Sequence, residues 1–186
     1  MSKAKNPRKI HLGCGRIYIP GFFHVDIQPA PHVDAVSSGE DLSFIDNDTV
    51  ELIYASHVLE HFDRWHYHDA LVEWHRVLKP GGVLRLSVPD FEACVRAYQK
   101  FGLSNPFSGI IGLVCGGQRD LNDFHRMIFN RDLLTTELKT AGFNEVRDWN
   151  WRTTEHSHID DYSQAYLPHM DKTDGMLMSL NLEAVK

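Results

Sequence analysis

Long hydrophobic runs are absent from the sequence, and so are long runs of basic residues. No apolar stretch reaches the roughly 20 residues that a membrane-spanning helix needs. The N-terminal segment 1–9 is basic and polar with no apolar segment after it, so we expect no secretory signal and a cytoplasmic location. Lys and Arg total 19 against 25 Asp and Glu, a net charge of −6, which disfavours nucleic acid as a partner.

Cysteine is scarce, whereas histidine is abundant. The three cysteines, Cys14, Cys94 and Cys115, form no C-x-x-C pair, so the sequence predicts neither a disulfide framework nor a zinc knuckle. Reduced thiols in a cytosolic protein are the plain interpretation. Most of the twelve histidines are expected at exposed or hydrogen-bonded structural positions, and some at a functional site.

Strand-like and helix-like segments alternate along the chain, which is typical of an α/β sheet. Strands are predicted at 9–12, 22–27, 33–36, 50–55, 83–88, 143–151 and 176–185. Helices are predicted at 57–78, 91–101 and 131–141, the first stopped by Lys79–Gly82 and the last capped by Asn130. About ten residues separate the first two strands, so the first crossover helix must be reduced to a turn or absent.

The segment with the clearest chemical meaning follows the first strand. Gly13, Cys14 and Gly15 form a turn in which the backbone can approach a ligand closely. Asp26 ends the second strand, where a carboxylate can accept both ribose hydroxyls of an adenosine ligand. Asp41 and Leu42, followed by Asp46 and Asp48, could border an adenine, although an acidic solvated turn explains the last two equally well.

Taken in order, these segments resemble the successive motifs of class I S-adenosylmethionine-dependent methyltransferases of the type 11 kind. The resemblance covers roughly Lys9 to Trp151 and includes Ala141-Gly142-Phe143 before the sixth strand. Its blocks are Leu12–Gly15, Val25-Asp26, Asp41–Phe44, Ala55–His61, Arg76–Gly82 and Val88–Asp90. The block Arg76–Gly82, RVLKPGG, is the most specific of them.

A narrower resemblance is to short methyltransferases often linked to surface-polysaccharide gene clusters. It rests on the short first crossover, on SVPDFEACVRAY at 87–98 and on GGQRDLNDFHR at 116–126. It implies a small-molecule or sugar-related acceptor, methylated on oxygen or nitrogen. One domain, 1–186, is expected, with residues 1–8 flexible and with 104–130 and 152–175 as acceptor-side or insertion segments.

The wider resemblance implies a three-layer, Rossmann-like fold whose seven-stranded sheet has the order 3-2-1-4-5-7-6 and an antiparallel last strand. It also implies where the cofactor S-adenosyl-L-methionine lies. The residues implied to contact it are Gly13, Cys14 and Gly15 at the methionine part, Asp26 and Ile27 at the ribose, Asp41 and Leu42 at the adenine, and Ser56 and His57 at the sulfonium. Two departures from the family pattern are His11 in place of an acidic residue and a missing third glycine.

The acceptor side has its own candidates. A sugar hydroxyl must lose a proton on methylation, and histidine suits that step near neutral pH. His125, His61 and Asp90 are the predicted catalytic groups, because irregular segments and strand ends carry the acceptor in such sheets. Weaker acceptor-site candidates are Trp65, Arg119 and Asp123. No metal requirement is expected.

Three other classes of protein compete with this interpretation. His57-Val58-Leu59-Glu60-His61 matches the inverted zinc-peptidase motif H-x-x-E-H, with both histidines on one helical face. It follows an apolar strand within an ordered set of cofactor motifs, so a zinc hydrolase is disfavoured. A non-catalytic cofactor-binding module remains the alternative from a different class. A nicotinamide dehydrogenase lacks support, since the full G-x-G-x-x-G is missing.

Overall fold

The computed structural model describes residues 6–103 and 109–186. Seven strands form the main sheet: β1 Lys9–Leu12, β2 Phe23–Asp26, β3 Ala35–Val36, β4 Val50–Ser56, β5 Leu78–Pro89, β6 Glu145–Asp148 and β9 Ser179–Val185. Two short strands, β7 Tyr166–Leu167 and β8 Met176–Leu177, pair in a separate hairpin. The α-helices are α1 Tyr67–Val77, α2 Phe91–Phe101, α3 Gly109–Cys115 and α4 Arg131–Thr140.

The order of the main sheet is β3-β2-β1-β4-β5-β9-β6. The first five strands in this order pair in parallel, and β9 is antiparallel to both of its neighbours. Since β9 is the seventh strand of this sheet along the chain, the predicted order and the antiparallel last strand are confirmed. The arrangement is the Rossmann-like sheet of class I methyltransferases, whose ligands lie at the carboxyl ends of the parallel strands.

The first crossover is shortened as predicted. Residues 13–22, all of them described, form turns and bends rather than a helix. Ile19 and Phe22 nevertheless bury their side chains against Tyr54 and Trp149 on one face of the sheet. The Ile19 amide donates to His24 Nε2 at 3.0 Å. This apolar cluster therefore covers a sheet face that a crossover helix would otherwise protect from water.

The other face of the sheet carries the main core. Trp74 and Leu71 of α1 and Leu134 and Leu138 of α4 pack against the buried strand residues, with none of the four side chains exposed. The Trp74 indole N–H donates to the Gly39 carbonyl at 2.8 Å, so its one polar atom is satisfied. The Asn130 side chain accepts from the Leu133 amide and caps α4, as predicted.

The helix predicted at 57–78 is wrong in its first half. A 3₁₀ turn occupies Leu59–His61, and the α-helix begins only at Tyr67. His57 has a φ of +55°, a left-handed conformation that no α-helix tolerates. Asp63 then stops the turn and organises the entry to α1, because its side chain accepts from the Trp65 amide at 2.9 Å.

Several other boundaries also differ from the prediction. Leu78–Gly82 belongs to β5 rather than to a separate stop, because Leu78 pairs with Val50 across a bulge. The strands predicted at 33–36, 143–151 and 176–185 are shorter or divided, and α3 lies within the predicted irregular stretch. Of the predicted flexible residues 1–8, the first five lie outside the described residues, as does 104–108 of the Gly-rich segment. Arg8 is held in place, since its carbonyl accepts from the Glu51 and Leu52 amides.

Candidate active site

The glycine turn after β1 lies at the carboxyl edge of the sheet. Gly13 has a φ of +57°, and a Cβ added there would lie 2.4 Å from Val58 Cγ2, so no other residue fits without displacing Val58. Gly15 has a φ of +54°, and its Cβ position faces open space. The turn is therefore packed tightly against Val58 on one side and has open space beside Gly15 on the other.

Asp26 joins this turn to the end of β2. Its Oδ2 accepts from the Gly15 amide at 2.7 Å and its Oδ1 accepts from the Gln28 amide at 2.8 Å. A carboxylate has about four acceptor sites, so two remain for hydroxyl donors. Cys14 is buried, and burial together with the charge of Asp26 raises the pKa of its thiol to about 12. The thiol is therefore protonated and unsuited to act as a nucleophile.

The adenine side is formed by residues after β2 and β3. Ile27 is 49% exposed and offers an apolar surface at the edge of the sheet. The Asp41 carboxylate accepts from the Ser43 amide, and this contact lowers its pKa. Leu42 is fully buried, and its amide donates to Glu73 Oε1 at 2.9 Å. The Leu42 backbone N–H is thus already engaged, whereas Ile27 and Asp41 remain accessible.

Ser56 and His57 follow β4, next to the glycine turn. Ser56 accepts from the Ser87 hydroxyl at 3.2 Å, and the His57 amide donates to the Ser87 carbonyl at 2.9 Å. The His57 ring is nearly buried, with its Nε2 at 2.9 Å from Ser179 Oγ. Burial, with smaller contributions from His125 and His61, lowers the pKa of His57 to about 3, so the ring is neutral.

A cavity of about 540 Å³ opens beside His57. Its volume falls within the roughly 300–1,000 Å³ of small-molecule sites. Its walls come from the turn after β4, from α3 with the segment that follows it, and from residues 160–170. Side chains that give it polar character are His57, His61, Arg119, Asp123, His125 and Tyr162.

Two of the three predicted catalytic residues line this cavity. His61 Nδ1 lies 3.2 Å from the Phe124 carbonyl oxygen, and His125 Nδ1 lies 2.8 Å from the Leu113 carbonyl oxygen. Burial is the main cause that lowers the pKa of each ring. The two imidazoles meet edge to face, with centroids 4.8 Å apart. Residues 64 positions apart in the sequence are thereby brought to one wall.

The remaining acceptor-side candidates divide between the cavity and the surface. Arg119 and Asp123 both line the cavity and form an ion pair at 2.6 Å. Asp90 accepts from the Glu92 amide as the cap of α2 and is not among the described residues that line the cavity. Trp65 is 71% exposed and stacks on Arg64. Asp90 and Trp65 therefore have structural explanations, and their predicted roles remain predictions.

Residues of the polar segment after β6 complete the cavity and were not singled out from the sequence. Tyr162, Tyr166 and His169 line it, and Tyr162 packs on the His57 ring at 5.3 Å between centroids. The signal that could have indicated them is the presence of two tyrosines within an otherwise polar, acidic stretch. Their position depends on contacts more than 100 residues apart, such as that between Tyr54 and Asp161.

Known proteins resemble this chain in part of its sequence and in its fold. Residues 24–86, about a third of the chain, match the sequence model of the methyltransferase domain family. A search of curated proteins found no match. The matched segment runs from the middle of β2 into β5 and includes Asp26, Asp41 and His57.

Solved structures share the fold at low sequence identity. An S-adenosylmethionine-dependent methyltransferase from Archaeoglobus fulgidus superposes with a TM-score of 0.59 at 15% identity, over 96% of this chain and 86% of that one. A methyltransferase from Mesorhizobium loti gives 0.57 at 16%, over 100% and 94%. The 1,6-didemethyltoxoflavin-N1-methyltransferase of Burkholderia thailandensis, solved with its substrate and S-adenosylhomocysteine, gives 0.55 at 16%, over 97% and 72%.

The fold is that of class I methyltransferases, and residues 24–86 resemble the methyltransferase domain family. The resemblance seen in the sequence is confirmed by this family match and by the S-adenosylmethionine-dependent methyltransferases that share the fold. The open space beside Gly15 and the spare acceptor sites of Asp26 fit the methionine and ribose parts of S-adenosylmethionine. Among the described residues, no helix combines the length and the apolar character needed to cross a membrane.

Proposed function

We propose that the enzyme transfers a methyl group from S-adenosylmethionine to a hydroxyl group of a small, sugar-related acceptor bound in the cavity. The observation that carries the proposal is the cavity wall itself. Arg119, Asp123, Asp160 and Asp161 supply charged hydrogen-bonding groups beside the faces of Tyr162 and Tyr166. Clustered hydroxyls need such donors and acceptors, and the apolar face of a sugar ring suits an aromatic side chain.

The residues proposed to bind the cofactor lie at the carboxyl edge of the sheet. In this proposal Gly13, Cys14 and Gly15 hold the methionine part through the backbone, and Asp26 accepts from the ribose hydroxyls. Ile27 and Asp41 border the adenine, with Leu42 supporting them from the core. Ser56 and His57 lie at the sulfonium end of the cofactor. The acceptor cavity begins there, because His57 also lines the cavity.

The reaction is an in-line displacement. The acceptor oxygen forms a bond to the methyl carbon while the carbon–sulfur bond breaks, and sulfur leaves with the electron pair as a neutral thioether. The cationic sulfonium already activates the carbon, so the protein mainly aligns the two reactants and excludes water. The hydroxyl proton must leave as well, and His61 and His125 are the neutral imidazoles in the cavity that could accept it.

The proposal also covers the organisation of the chain and its surroundings. Residues 1–186 act as one domain, in which the segments around α3 and after β6 form the acceptor side. The partner is a small molecule rather than a nucleic acid, which the net charge of −6 supports. A cytoplasmic location belongs to the same proposal.

An acceptor screen tests this function. The protein is incubated with methyl-labelled S-adenosylmethionine and a panel of monosaccharides, nucleotide sugars and, as the competing class, primary and secondary amines. Mass spectrometry and NMR of the products locate the new methyl group. A methyl ether on a sugar hydroxyl supports the proposal. Transfer confined to amine nitrogen would replace it with N-methylation, and turnover with no member of the panel would contradict the acceptor class.

A further inference from the structure

The side chain of Glu60 is the most unusual polar group in the protein. It is 0% exposed, and neither carboxylate oxygen accepts a hydrogen bond from any described residue. The nearest polar atoms are His57 Nδ1, 3.2 Å from Oε1, and His125 Nε2, 3.9 Å from Oε1. A buried carboxylate without a donor is costly, so the residues around it must supply or bind something positive.

Hydrogen bonds to backbone carbonyls fix which nitrogens of the neighbouring rings are free. A carbonyl oxygen can only accept a hydrogen bond, so the ring nitrogen that contacts it must carry a hydrogen. His61 Nδ1 therefore donates to the Phe124 carbonyl, and His125 Nδ1 donates to the Leu113 carbonyl. In a neutral imidazole the other nitrogen is then a lone pair. Both Nε2 atoms are therefore electron-pair donors. One nitrogen of each ring and one Glu60 oxygen lie within 4.8 Å of one another, and for His125 the nitrogen 3.9 Å from Glu60 is Nε2.

His57 adds a third imidazole lone pair beside the Glu60 carboxylate. Its Nε2 contacts Ser179 Oγ, whose own hydrogen is directed to the Tyr162 carbonyl. The hydroxyl therefore accepts from His57 Nε2–H, which leaves Nδ1 as a lone pair facing Glu60. A single proton shared by Glu60 and His57 would satisfy only one pair of these atoms. Beyond that one proton, the three imidazoles and the carboxyl group converge with no further donor among these atoms.

We propose that Glu60, His61 and His125 bind one divalent transition-metal cation, with His57 beside it. Two imidazoles and one carboxylate suit ions such as Zn²⁺, Mn²⁺, Fe²⁺ and Co²⁺. The carbonyls of Phe124 and Leu113 are the outer contacts that commonly orient metal-binding histidines. Ligands about 2.1 Å from a tetrahedral ion lie roughly 3.4 Å apart, so the three atoms must draw together by about 1 Å.

The open side of this site faces the cavity, because His61 and His125 both line it. Metal binding itself does not depend on methyl transfer. If the proposed function holds, an acceptor hydroxyl completes the coordination and loses its proton more readily, as water does on a bound metal. In the metal-bound enzyme His61 and His125 then promote loss of this proton as metal ligands and do not accept it themselves. The site differs from the predicted zinc-peptidase arrangement, in which His57 and His61 share a helical face, because His57 precedes the turn in a left-handed conformation.

Calorimetry on protein purified without a histidine tag tests the site. Chelator-treated protein is titrated with ZnCl₂ and with MnCl₂, and bound metal is counted by elemental analysis. We expect one ion per chain. His61→Ala and His125→Ala should each weaken binding by roughly 100-fold or more, whereas His66→Ala, at an exposed histidine on the entry to α1, should bind as the wild type does. Unchanged binding in both ligand variants, or no binding by the wild type, would overturn the proposal.

Glu60→Gln separates ligation from folding. The neutral amide removes a buried charge, so the metal-free variant should unfold at or above the wild-type temperature. Added Zn²⁺ should raise the unfolding temperature of the wild type and not that of the variant. An equal rise in both would exclude Glu60 as a ligand. Stoichiometric metal without turnover on any acceptor would contradict the methyl-transfer proposal and leave the metal site standing.

Discussion

Tyr54, at the centre of the sheet, donates its hydroxyl to Asp161, at the wall of the cavity. Tyr54 is fully buried in β4, and burial and Asp161 together raise its pKa well above the usual value. Asp161 in turn caps the 3₁₀ turn at Tyr162–Gln164 by accepting from the Ser163 amide. This hydrogen bond thus helps to hold the cavity wall at Asp161 against the buried core.

Tyr54→Phe is expected to loosen this wall without disturbing the cofactor edge. The ring still fills its core position, but Asp161 loses a buried donor, which costs about 1–3 kcal/mol. KM for the acceptor should rise roughly tenfold, while affinity for S-adenosylhomocysteine stays unchanged. Steady-state kinetics and calorimetry measure the two. Tyr98→Phe on the exposed face of α2 is the matched control, and an unaltered acceptor KM in Tyr54→Phe would argue against the anchoring role.

Asp26→Asn should weaken cofactor binding. The amide keeps the size of the side chain but loses the charge that favours two ribose donors, and hydrogen bonds to charged groups contribute about 1.5–3 kcal/mol. Calorimetry with S-adenosylhomocysteine should show an affinity at least roughly tenfold lower, with Asp132→Asn on the surface of α4 as the control. Wild-type affinity in a folded Asp26→Asn protein would remove Asp26 from the cofactor site.

His125→Gln addresses the chemical step. Glutamine can keep a hydrogen bond to Leu113 through its amide but cannot accept a proton near neutral pH. We expect kcat on an identified acceptor to fall about 100-fold, with affinity for S-adenosylhomocysteine retained. A histidine that only supports the loop would instead lower the unfolding temperature and leave kcat intact, and that combination would restrict the catalytic group to His61.

The stability of the protein should fall in acid because His11 is buried on the sheet face that the first crossover covers. Burial, with added repulsion from His24 and His156, lowers the pKa of His11 from 6.5 to about 3. Between these values the unfolded chain binds a proton that the folded protein does not, so stability is full above pH 6.5 and declines as pH falls towards 3.

The contribution of His11 can be isolated by replacement. From pH 7 to pH 5 the stability lost through His11 amounts to about 2 kcal/mol. His11→Leu should reduce the difference in unfolding free energy between these two pH values by that amount, as measured by urea denaturation. A difference as large as that of the wild type would show that the ring is protonated in the folded state.

The fold was predictable because its signals are local. The block Arg76–Gly82 and the turn at Gly13–Gly15 each lie within a few residues, and they support the family resemblance that implies the order of the strands. The helix predicted from His57 failed for an equally local reason that apolar spacing does not encode. The left-handed backbone at His57 is set by contacts of its amide and its ring with Ser87 and Ser179.

The part of the cavity wall that follows β6 was predictable only as a segment. Residues 152–175 carry no apolar periodicity, and their path depends on contacts with distant residues such as Tyr54 and Ser179. Glu60 shows the same limit. Its place in H-x-x-E-H is visible in the sequence, but its burial beside His125 arises because its carbonyl accepts from the Arg126 and Met127 amides.

Filling the cavity tests the central claim most directly. Gly112 lines the cavity from α3, and a Cβ added there meets nothing within 4 Å. Gly112→Ala should therefore transfer labelled methyl to the acceptor at close to the wild-type rate. Gly112→Phe should lose transfer by roughly 100-fold, because the ring occupies the acceptor's space, and should keep wild-type affinity for S-adenosylhomocysteine. Full transfer by a folded Gly112→Phe enzyme would contradict the assignment of this cavity to the acceptor.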